Sequence, residues 1–458
     1  MLNIIAREDP EGVVVQFGGQ TAINLAGVLH ANGVKLLGTS FDGIDLAEDR
    51  DRFERLLNDL GIPKPPGRGV TSVAQAAQTA KEVGYPVLVR PSYVLGGRGM
   101  EICYSEEELL SYMRLAAEVS PRHPILVDKY IAGSTAGGGK EIEVDLICDG
   151  EEALIPAIME HIERAGVHSG DSMAVCPPVN LSQSVMDRVV DYSTRIALAL
   201  GTKGLMNVQF VLDSDDTLYV LEVNPRASRT VPYLSKITGL PMVNVATKCM
   251  LGRKLRELGY TPGLHPARPY YAVKAPVFSF SKLTQVDTTL GPEMKSTGEI
   301  MGVDPEYPKA LYKALVAAGV EVPDEGTLLA TIADRDKAEG GELIRAFAEL
   351  GFRVYATTGT HAYLQGLGVN SIPVKKIHEG SPNIADLIRS GEIDLVINTL
   401  SPDRNPEREG ARIRRATVEH NIPCLTSLDT AGALLLALSS RKRGSEITAT
   451  PLHRYVEM

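Results

Sequence analysis

The amino-acid sequence predicts a multidomain chain that combines α/β and α+β architecture, and three observations carry that expectation. Its 458 residues suffice for about three domains at roughly 150 residues each. In the middle, the alternating segments 205–213 and 218–224 flank the turn-rich Ser214-Asp215-Asp216-Thr217 and read as a β-hairpin. After residue 326, five short apolar runs alternate with helical patterns, which implies a parallel, doubly wound sheet. The expected divisions are a partial α/β unit at 1–68, the main catalytic candidate at 69–265, a connecting segment at 266–325 and a second α/β domain at 326–458.

Composition narrows the class. Apolar residues make up 44%, and no apolar run approaches the roughly 20 residues needed to span a bilayer. The net charge of −10, with no long Lys/Arg run, argues against nucleic acid as a partner. Cys103, Cys148, Cys176, Cys249 and Cys424 are odd in number and scattered, with no C-x-x-C spacing. That pattern fits a reducing cytoplasm better than a disulfide framework or a zinc site. No signal-peptide pattern opens the chain, so a cytoplasmic protein without a membrane partner is expected.

The hairpin carries the densest chemistry. With Asp213 opposite Leu218, Gln209 falls opposite Glu222 and Asn207 opposite Asn224. Met206, Val208, Phe210 and Leu212 then share the other face with Tyr219, Leu221 and Val223. Pro225 ends the strand, and Arg226 and Arg229 follow at once. A carboxylate beside amide oxygens suits a hard cation such as Mg2+ shared with phosphates, and arginines suit phosphate oxygens. A solvated polar face is the bland alternative.

In chain order, 12–17 reads as a buried strand, followed by Gly18-Gly19 and a helical pattern to Leu29. The glycine pair suits either a tight turn or a close ligand approach. A charged helix begins at Glu48 and ends near Gly61. Residues 72–83 read as a helix, and 85–90 as a strand with Arg90 at its end. The glycine-rich 92–99 lies between strands rather than before a helix, so it suits a phosphate-covering flap or a plain hairpin turn, not a Walker loop.

Residues 106–117 read as a helix and 125–130 as a strand. Segment 141–148 alternates, with Glu141, Glu143 and Asp145 on one face. That face binds a cation or hydroxyl, or belongs to a solvated edge strand. His168, beside Ser169 and Asp171, suits a phosphate contact, a proton shuttle or a structural role. Residues 181–200 read as a long helix, 234–251 as a helical segment, 270–276 as a strand, 291–301 as a polar loop and 307–318 as a helix. In the last domain Thr357, Thr358, Gly359, Thr360, Lys376, His378, Asn398 and Thr399 fall on loops at strand carboxyl ends, where doubly wound sheets bind ligands. Hydroxyls, a helix N-terminus and a lysine make an anion pocket, or Thr360 simply caps its helix. No triad or general-base carboxylate accompanies it, so binding is expected there rather than catalysis.

Taken together, V-R-P-S-Y-V-L-G-G-R, A-G-V-H-S-G-D-S, L-M-N-V-Q-F and E-V-N-P-R-A-S-R-T-V-P resemble the large subunit of carbamoyl-phosphate synthase. The wording matches its C-terminal, carbamate-phosphorylating half, and the resemblance covers essentially the whole chain. It implies a truncated biotin-carboxylase-like N-terminal domain, an ATP-grasp domain, and a C-terminal doubly wound, methylglyoxal-synthase-like regulatory domain.

The resemblance also implies roles and partners. Gln209, Glu222 and Asn224 would hold one or two Mg2+ or Mn2+ ions against the ATP phosphates, with K+ as a further cation. Arg90 would contact phosphate beneath loop 92–99. Lys129 and Ile131 would lie along the adenine, Glu141 at the ribose, and Gly166, Val167, His168 and Ser169 along the nucleotide. Arg226 and Arg229 would steady the transferred phosphoryl group and the anionic substrate, making them the catalytic candidates. Thr357, Thr360, Lys376, Asn398 and Thr399 match a pocket for a nucleotide monophosphate effector. The stretch H-E-G-S-P-N replaces the loop that carries the catalytic aspartate of methylglyoxal synthase, which favours regulation.

The implied activity is ATP-dependent phosphorylation of carbamate to carbamoyl phosphate, in arginine and pyrimidine biosynthesis. The alternative is a catalytically incomplete, nucleotide-binding regulatory module; a biotin-carboxylase relative is disfavoured by the last domain. The first strands of the N-terminal domain and the whole N-terminal synthetase half do not occur in this sequence. That half is expected on another chain, beside a glutaminase small subunit. Residues 134–139 (S-T-A-G-G-G) read as an insertion just before Glu141.

Overall fold

The structure is a computed structural model that describes residues 1–91, 99–119, 125–131, 139–283, 286–321, 323–400, 409–442 and 446–457. Residues 92–98 of the expected flap 92–99, and 134–138 of the insertion 134–139, lie outside the described residues.

A small antiparallel sheet comprises β1 (Gly67–Val70), β2 (Val87–Pro91), β3 (Glu101–Cys103) and β4 (Ile125–Lys129), in the order β1-β4-β2-β3. Helices Val73–Val83 and Glu106–Val119 accompany it. Ser72 caps the first by accepting from the Gln75 N–H, as a serine before an apolar-periodic run should. Val70, Ala76, Ala80, Val87, Val89, Leu109 and Val127 form its own core, so this subdomain packs as a unit.

The central sheet has nine strands: β5 (Lys140–Asp149), β6 (Ala153–Ile155), β7 (Ile158–Arg164), β8 (Ala174–Cys176), β9 (Lys203–Leu212), β10 (Leu218–Asn224), β11 (Gly263–Leu264), β12 (Tyr271–Val277) and β13 (Gly298–Asp304). Their order is β10-β9-β5-β7-β8-β12-β13, with β6 pairing β5 and β11. The segment expected as a connector thus supplies β12 and β13. Residues 298–301, read as part of a polar loop, begin β13, because they pair with 274–277 of the apolar β12.

β5 is interior, flanked by β9 and β7. Its Ile142, Val144, Leu146 and Cys148 join the core formed with Val185, Val189 and Ile196 of helix Gln183–Ala199. Glu143 and Asp145, on the opposite face, are buried as well, so a solvated edge strand is not what forms.

Two further readings change. The expected helical segment 234–251 divides into two helices, Val231–Thr238 and Met242–Met250. Gly239 turns left-handed at φ 74° and Pro241 follows, which stops the first helix. The expected strand over 12–17 shrinks to one parallel bridge between Val13 and Leu36. Gln16 there serves the hairpin instead: its side-chain amide donates to Leu205 O and Pro225 O, both at 3.1 Å. Gly38 passes so close that a Cβ on it would sit 2.3 Å from Gln16 Oε1, at φ +110°. Helices Phe41–Glu48 and Arg50–Asp59 complete the N-terminal unit.

The last sheet contains β14 (Thr327–Thr331), β15 (Arg353–Thr357), β16 (Ser371–Val374), β17 (Leu395–Asn398) and β18 (Cys424–Leu425), ordered β16-β15-β14-β17-β18. Every pair is parallel, the doubly wound arrangement expected. One apolar core runs from Val175 and Val273, through Leu311 and Ala314 of helix Tyr307–Ala317, to Leu328 and Leu434. Gly302 lets that helix lie close on β13: a Cβ there would meet Ala310 O at 2.1 Å.

Candidate functional site

The hairpin opposes Gln209 to Glu222 and Asn207 to Asn224, as expected, but by a different route. Leu218 pairs with Leu212, not Asp213, and a bulge between Val220 and Glu222 absorbs Leu221 and restores the register. The apolar face therefore holds Leu218, Val220 and Val223, which are buried, while Tyr219 and Leu221 are not part of that core. The extra residue inverts the alternation for half of the strand.

Behind the hairpin lies a buried polar layer. Glu143 Oε1 accepts from Asn207 Nδ2 at 2.8 Å, and Asn207 Oδ1 receives Asn224 Nδ2 at 3.5 Å. Asn224 Nδ2 also donates to Glu222 Oε1 at 3.0 Å, and Asn224 Oδ1 accepts from Arg226 Nη2 at 3.2 Å. Gln209 Nε2 donates to Ser169 Oγ at 3.1 Å, joining the hairpin to loop 166–169. Glu141 Oε1 accepts from the Gly166 N–H at 3.2 Å. Val167 is half-buried, and the His168 N–H donates to Gly291 O at 2.8 Å. Glu222, Asn224 and Arg226 thus form one bonded group, and Gln209–Ser169 and Glu141–Gly166 each tie a strand of the same sheet to loop 166–169.

Arg229 reaches Ser296 Oγ at 3.1 Å and Met294 Sδ at 3.2 Å. A Cβ on Gly170 would lie 3.2 Å from Arg229 Nη1 and 3.3 Å from His168 Nδ1, so the arginine and the imidazole converge across that glycine. The remaining expected contacts sit on the small sheet. Arg90 Nη2 donates to Asp128 Oδ2 at 3.0 Å, and Asp128 also receives Arg50. Lys129 Nζ donates to the carbonyls of Gly84 and Tyr85 at 3.0 Å each, and Ile131 is half-buried just past β4.

Several charged groups in this layer were not singled out from the sequence. Buried His161 has Nε2 3.4 Å from Glu143 Oε2 and Nδ1 3.5 Å from Glu141 Oε2. The second contact is in ion-pair range without a formed hydrogen bond. Burial opposes charge on the ring, but the two carboxylates outweigh it and raise its pKa. Glu143 is desolvated too, yet His161 and Lys274 hold its carboxyl low. Lys274, fully buried on β12, donates to Ser169 O at 2.9 Å. Its one signal was a lysine inside the apolar run Y-A-V-K-A-P-V. Burial raises the Glu299 carboxyl, against the pull of Lys274 and Arg229, and its Oε2 is buried without a hydrogen-bond partner. Glu48 accepts from Gln20 at 2.9 Å; burial raises its pKa, with Arg226 and Glu222 both acting on it.

Among the described residues no group of three or more His, Cys, Asp and Glu side chains is placed to hold a metal ion. The hairpin offers one carboxylate and two carboxamides, a donor set that suits a hard cation sharing its coordination with phosphate and water.

A second polar cluster lies at the carboxyl ends of β14, β15 and β17, the switch point of the last sheet. Thr357 Oγ1 donates to Thr360 Oγ1 at 3.3 Å, and Thr360 Oγ1 accepts from the Ile332 N–H at 3.2 Å. Thr399 Oγ1 accepts from the Ala333 N–H at 2.8 Å, and Asn398 Nδ2 donates to Thr331 Oγ1. Lys376 is exposed on the loop after β16. Lys337 and Arg414 were missed. Lys337 Nζ would lie 3.4 Å from a Cβ on Gly359, and buried Arg414 donates to Asn398 Oδ1 at 2.7 Å.

Family models match three stretches: the ATP-binding domain of the carbamoyl-phosphate synthase L chain over residues 49–258, the MGS-like domain over 340–426, and the carbamoyl phosphate synthase preATP-grasp domain over 1–46. The chain belongs to the carbamoyl-phosphate synthase large-chain family. It corresponds to the C-terminal half of that large chain with its MGS-like domain.

Solved structures agree on the fold. The biotin carboxylase domain of Hydrogenobacter thermophilus 2-oxoglutarate carboxylase, complexed with MgADP, ADP and bicarbonate, superposes with a TM-score of 0.56 at 20% identity, over 69% of this chain and 76% of that one. Biotin carboxylase from Campylobacter jejuni, in a β-γ-ATP complex, gives 0.55 at 17% identity over the same shares. At such identities the likeness concerns the fold: a biotin-carboxylase-like ATP-grasp architecture, here followed by the MGS-like domain. The family assignment carries ATP-dependent ligase chemistry of the carboxy-phosphate type. Among the described residues no helix is long and apolar enough to cross a membrane.

Proposed function

We propose that this carbamoyl-phosphate synthase chain transfers the γ-phosphoryl group of ATP to carbamate. A carbamate oxygen attacks the γ-phosphorus, the bond to the β–γ bridging oxygen breaks, and carbamoyl phosphate and ADP leave. The observation that carries this reading is the strand pairing that sets Glu222, bonded to Asn224 and through it to Arg226, directly opposite Gln209, whose amide is bonded to Ser169 of loop 166–169, with Arg229 beside His168.

Phosphoryl transfer asks a protein for charge neutralisation and in-line positioning more than for covalent help. Gln209, Glu222 and Asn224 would hold Mg2+ or Mn2+, which neutralises phosphate charge when bound. Arg226 and Arg229 face the equatorial oxygens and the substrate anion, where preorganised donors are worth most. Arg90, Lys129 and Ile131 approach the nucleotide from the small sheet, and Glu141 accepts from the ribose. Gly166, Val167, His168 and Ser169 line its phosphate side, and K+ is a further cation of the site. Exclusion of water from the site would protect labile carbamate.

The threonines at 357, 360 and 399, with Asn398 and Lys376, form a pocket for the phosphate of a nucleotide effector. The chain works in the cytoplasm, in arginine and pyrimidine biosynthesis, with an N-terminal synthetase half on another chain and a glutaminase subunit as partners.

The reverse partial reaction tests this reading. Folded protein given MgADP and carbamoyl phosphate should form ATP, read by a coupled hexokinase assay. Glu222→Ala should lower that rate by at least about 100-fold, the scale of losing a main electrostatic contact in a transition state. Absence of ATP formation, with Glu222→Ala no different, overturns the reading in favour of a nucleotide-binding regulatory module.

A further inference from the structure

Asp145 lies on β5 directly opposite Asn207, with no exposed surface. Its Oδ2 accepts from Ser228 Oγ at 2.8 Å and from Thr230 Oγ1 at 2.5 Å. Its Oδ1 is buried with no hydrogen-bond partner. Burial, reinforced by neighbouring Glu143, pushes the carboxyl up to about 7. A half-satisfied buried carboxyl opposes folding, so its presence calls for an explanation in what it holds.

What it holds is the cationic loop that leaves the hairpin. Ser228 and Thr230 bracket Arg229, and their hydroxyls lie 2.6 Å apart, side by side against the Asp145 carboxyl. The Thr230 N–H donates to Ser228 Oγ at 3.1 Å. Thr230 is also the N-cap residue of helix Val231–Thr238, yet its side chain makes no capping bond. A threonine there would ordinarily contribute about 1 kcal/mol by capping; this one turns its hydroxyl inward to Asp145. From that anchorage Arg229 extends to Ser296 and the loop that meets His168.

We propose that Asp145 is a positioning residue of the phosphoryl-transfer site: through Ser228 and Thr230 it fixes the loop so that Arg229 meets the substrate anion. This rests on the reading of the hairpin as the site that phosphorylates carbamate. Asp145 itself touches neither nucleotide nor carbamate. Its partners are hydroxyls, which a carboxylate holds more strongly than an amide does, so Asp145→Asn keeps shape and burial while loosening the tie.

The test compares wild type, Asp145→Asn and the pair Ser228→Ala/Thr230→Val, in two measurements. In the ATP-forming partial reaction, kcat/KM for carbamoyl phosphate should fall about 10- to 100-fold in each variant, the scale of a displacement near 1 Å. KM for MgADP should stay within about twofold, and combining the changes should add little to either alone. Amide hydrogen exchange of residues 225–231 should accelerate in both variants. Equal losses toward both substrates, additive effects or unchanged exchange would each overturn the proposal. If wild type forms no ATP, the carbamate reading fails by itself, and exchange still decides whether Asp145 holds the loop. Should Asp145→Asn fail to fold, the hydroxyl pair carries the test, because it removes the partners without touching β5.

Discussion

Arg414 grips Asp287 with two parallel hydrogen bonds, Nε to Oδ1 and Nη2 to Oδ2, both at 2.6 Å. The pair joins the two polar clusters. On one side Arg414 also holds Asn398. On the other, Asp287 opens a loop whose Gly291 carbonyl accepts from His168 and whose Lys295 and Ser296 N–H groups donate to Asp171 at 2.8 Å each. Arg164 makes a second tie, donating to Asp429 and Glu339 just ahead of loop 166–169. The last domain is thus bonded directly to segments that flank loop 166–171.

Removing Arg414 should therefore be felt in stability. The side chain is 7% exposed and Asp287 37%. Breaking a fully buried pair costs about 3–5 kcal/mol, and the water left to Asp287 reduces this to about 2 kcal/mol for Arg414→Gln. Arg414→Lys should recover less than half, because an ammonium cannot reproduce the fork. Urea unfolding checks both values; a change below 0.5 kcal/mol, an exposed-pair figure, would refute the role.

The bulge makes a prediction about deletion. Without Leu221, Val220 would be followed by Glu222, and the ladder would run unbroken with Gln209 still opposite Glu222. Deleting Leu221 should leave the metal dependence of nucleotide binding within about threefold. Deleting Val223 instead shifts Asn224 to the core face, since side chains alternate, and should abolish binding. Isothermal titration with MgADP distinguishes the two; equal losses would mean that the bulge itself shapes the site.

Gly166 has φ +103°, and a Cβ on it would sit 2.3 Å from the Tyr130 hydroxyl. That hydroxyl donates to Ala165 O at 2.5 Å. Gly166→Ala must adopt a left-handed conformation, at about 1–2 kcal/mol, and displace Tyr130 from the loop. The expected outcome is roughly tenfold weaker MgADP binding, about 1.4 kcal/mol, with the fold intact by circular dichroism. Unchanged affinity would separate this loop from the nucleotide.

The charge on His161 sets a pH dependence. Although burial opposes it, Glu141 and Glu143 raise the pKa of the ring above its ordinary value of 6.5. A group raised in this way contributes stability that is fully present below its unfolded pKa and lost as pH rises through the folded value. The stability difference between wild type and His161→Gln should be largest below about pH 6 and shrink toward alkaline pH. A difference that stays flat across that window would show the ring to be neutral in the folded protein.

By itself the sequence determined what depends on neighbours along the chain. Alternation and turn residues placed the hairpin; Ser72 marked a helix start; five β–α alternations stated the parallel sheet of 326–458. The break at Gly239 and Pro241 was also local and readable. The tertiary structure decided what depends on partners far away. Alternation alone could not tell whether β5 was an edge or interior strand, because β7 and β9 bury it, and with it Glu143 and Asp145. Nor could it count Leu221 as an extra residue, since a bulge is defined by the strand opposite. Lys274, Glu299, Arg414 and Asp287 carry no local signature of their roles. Their charges acquire meaning only where folding removes water and brings up groups from distant segments, 127 residues apart for Arg414 and Asp287.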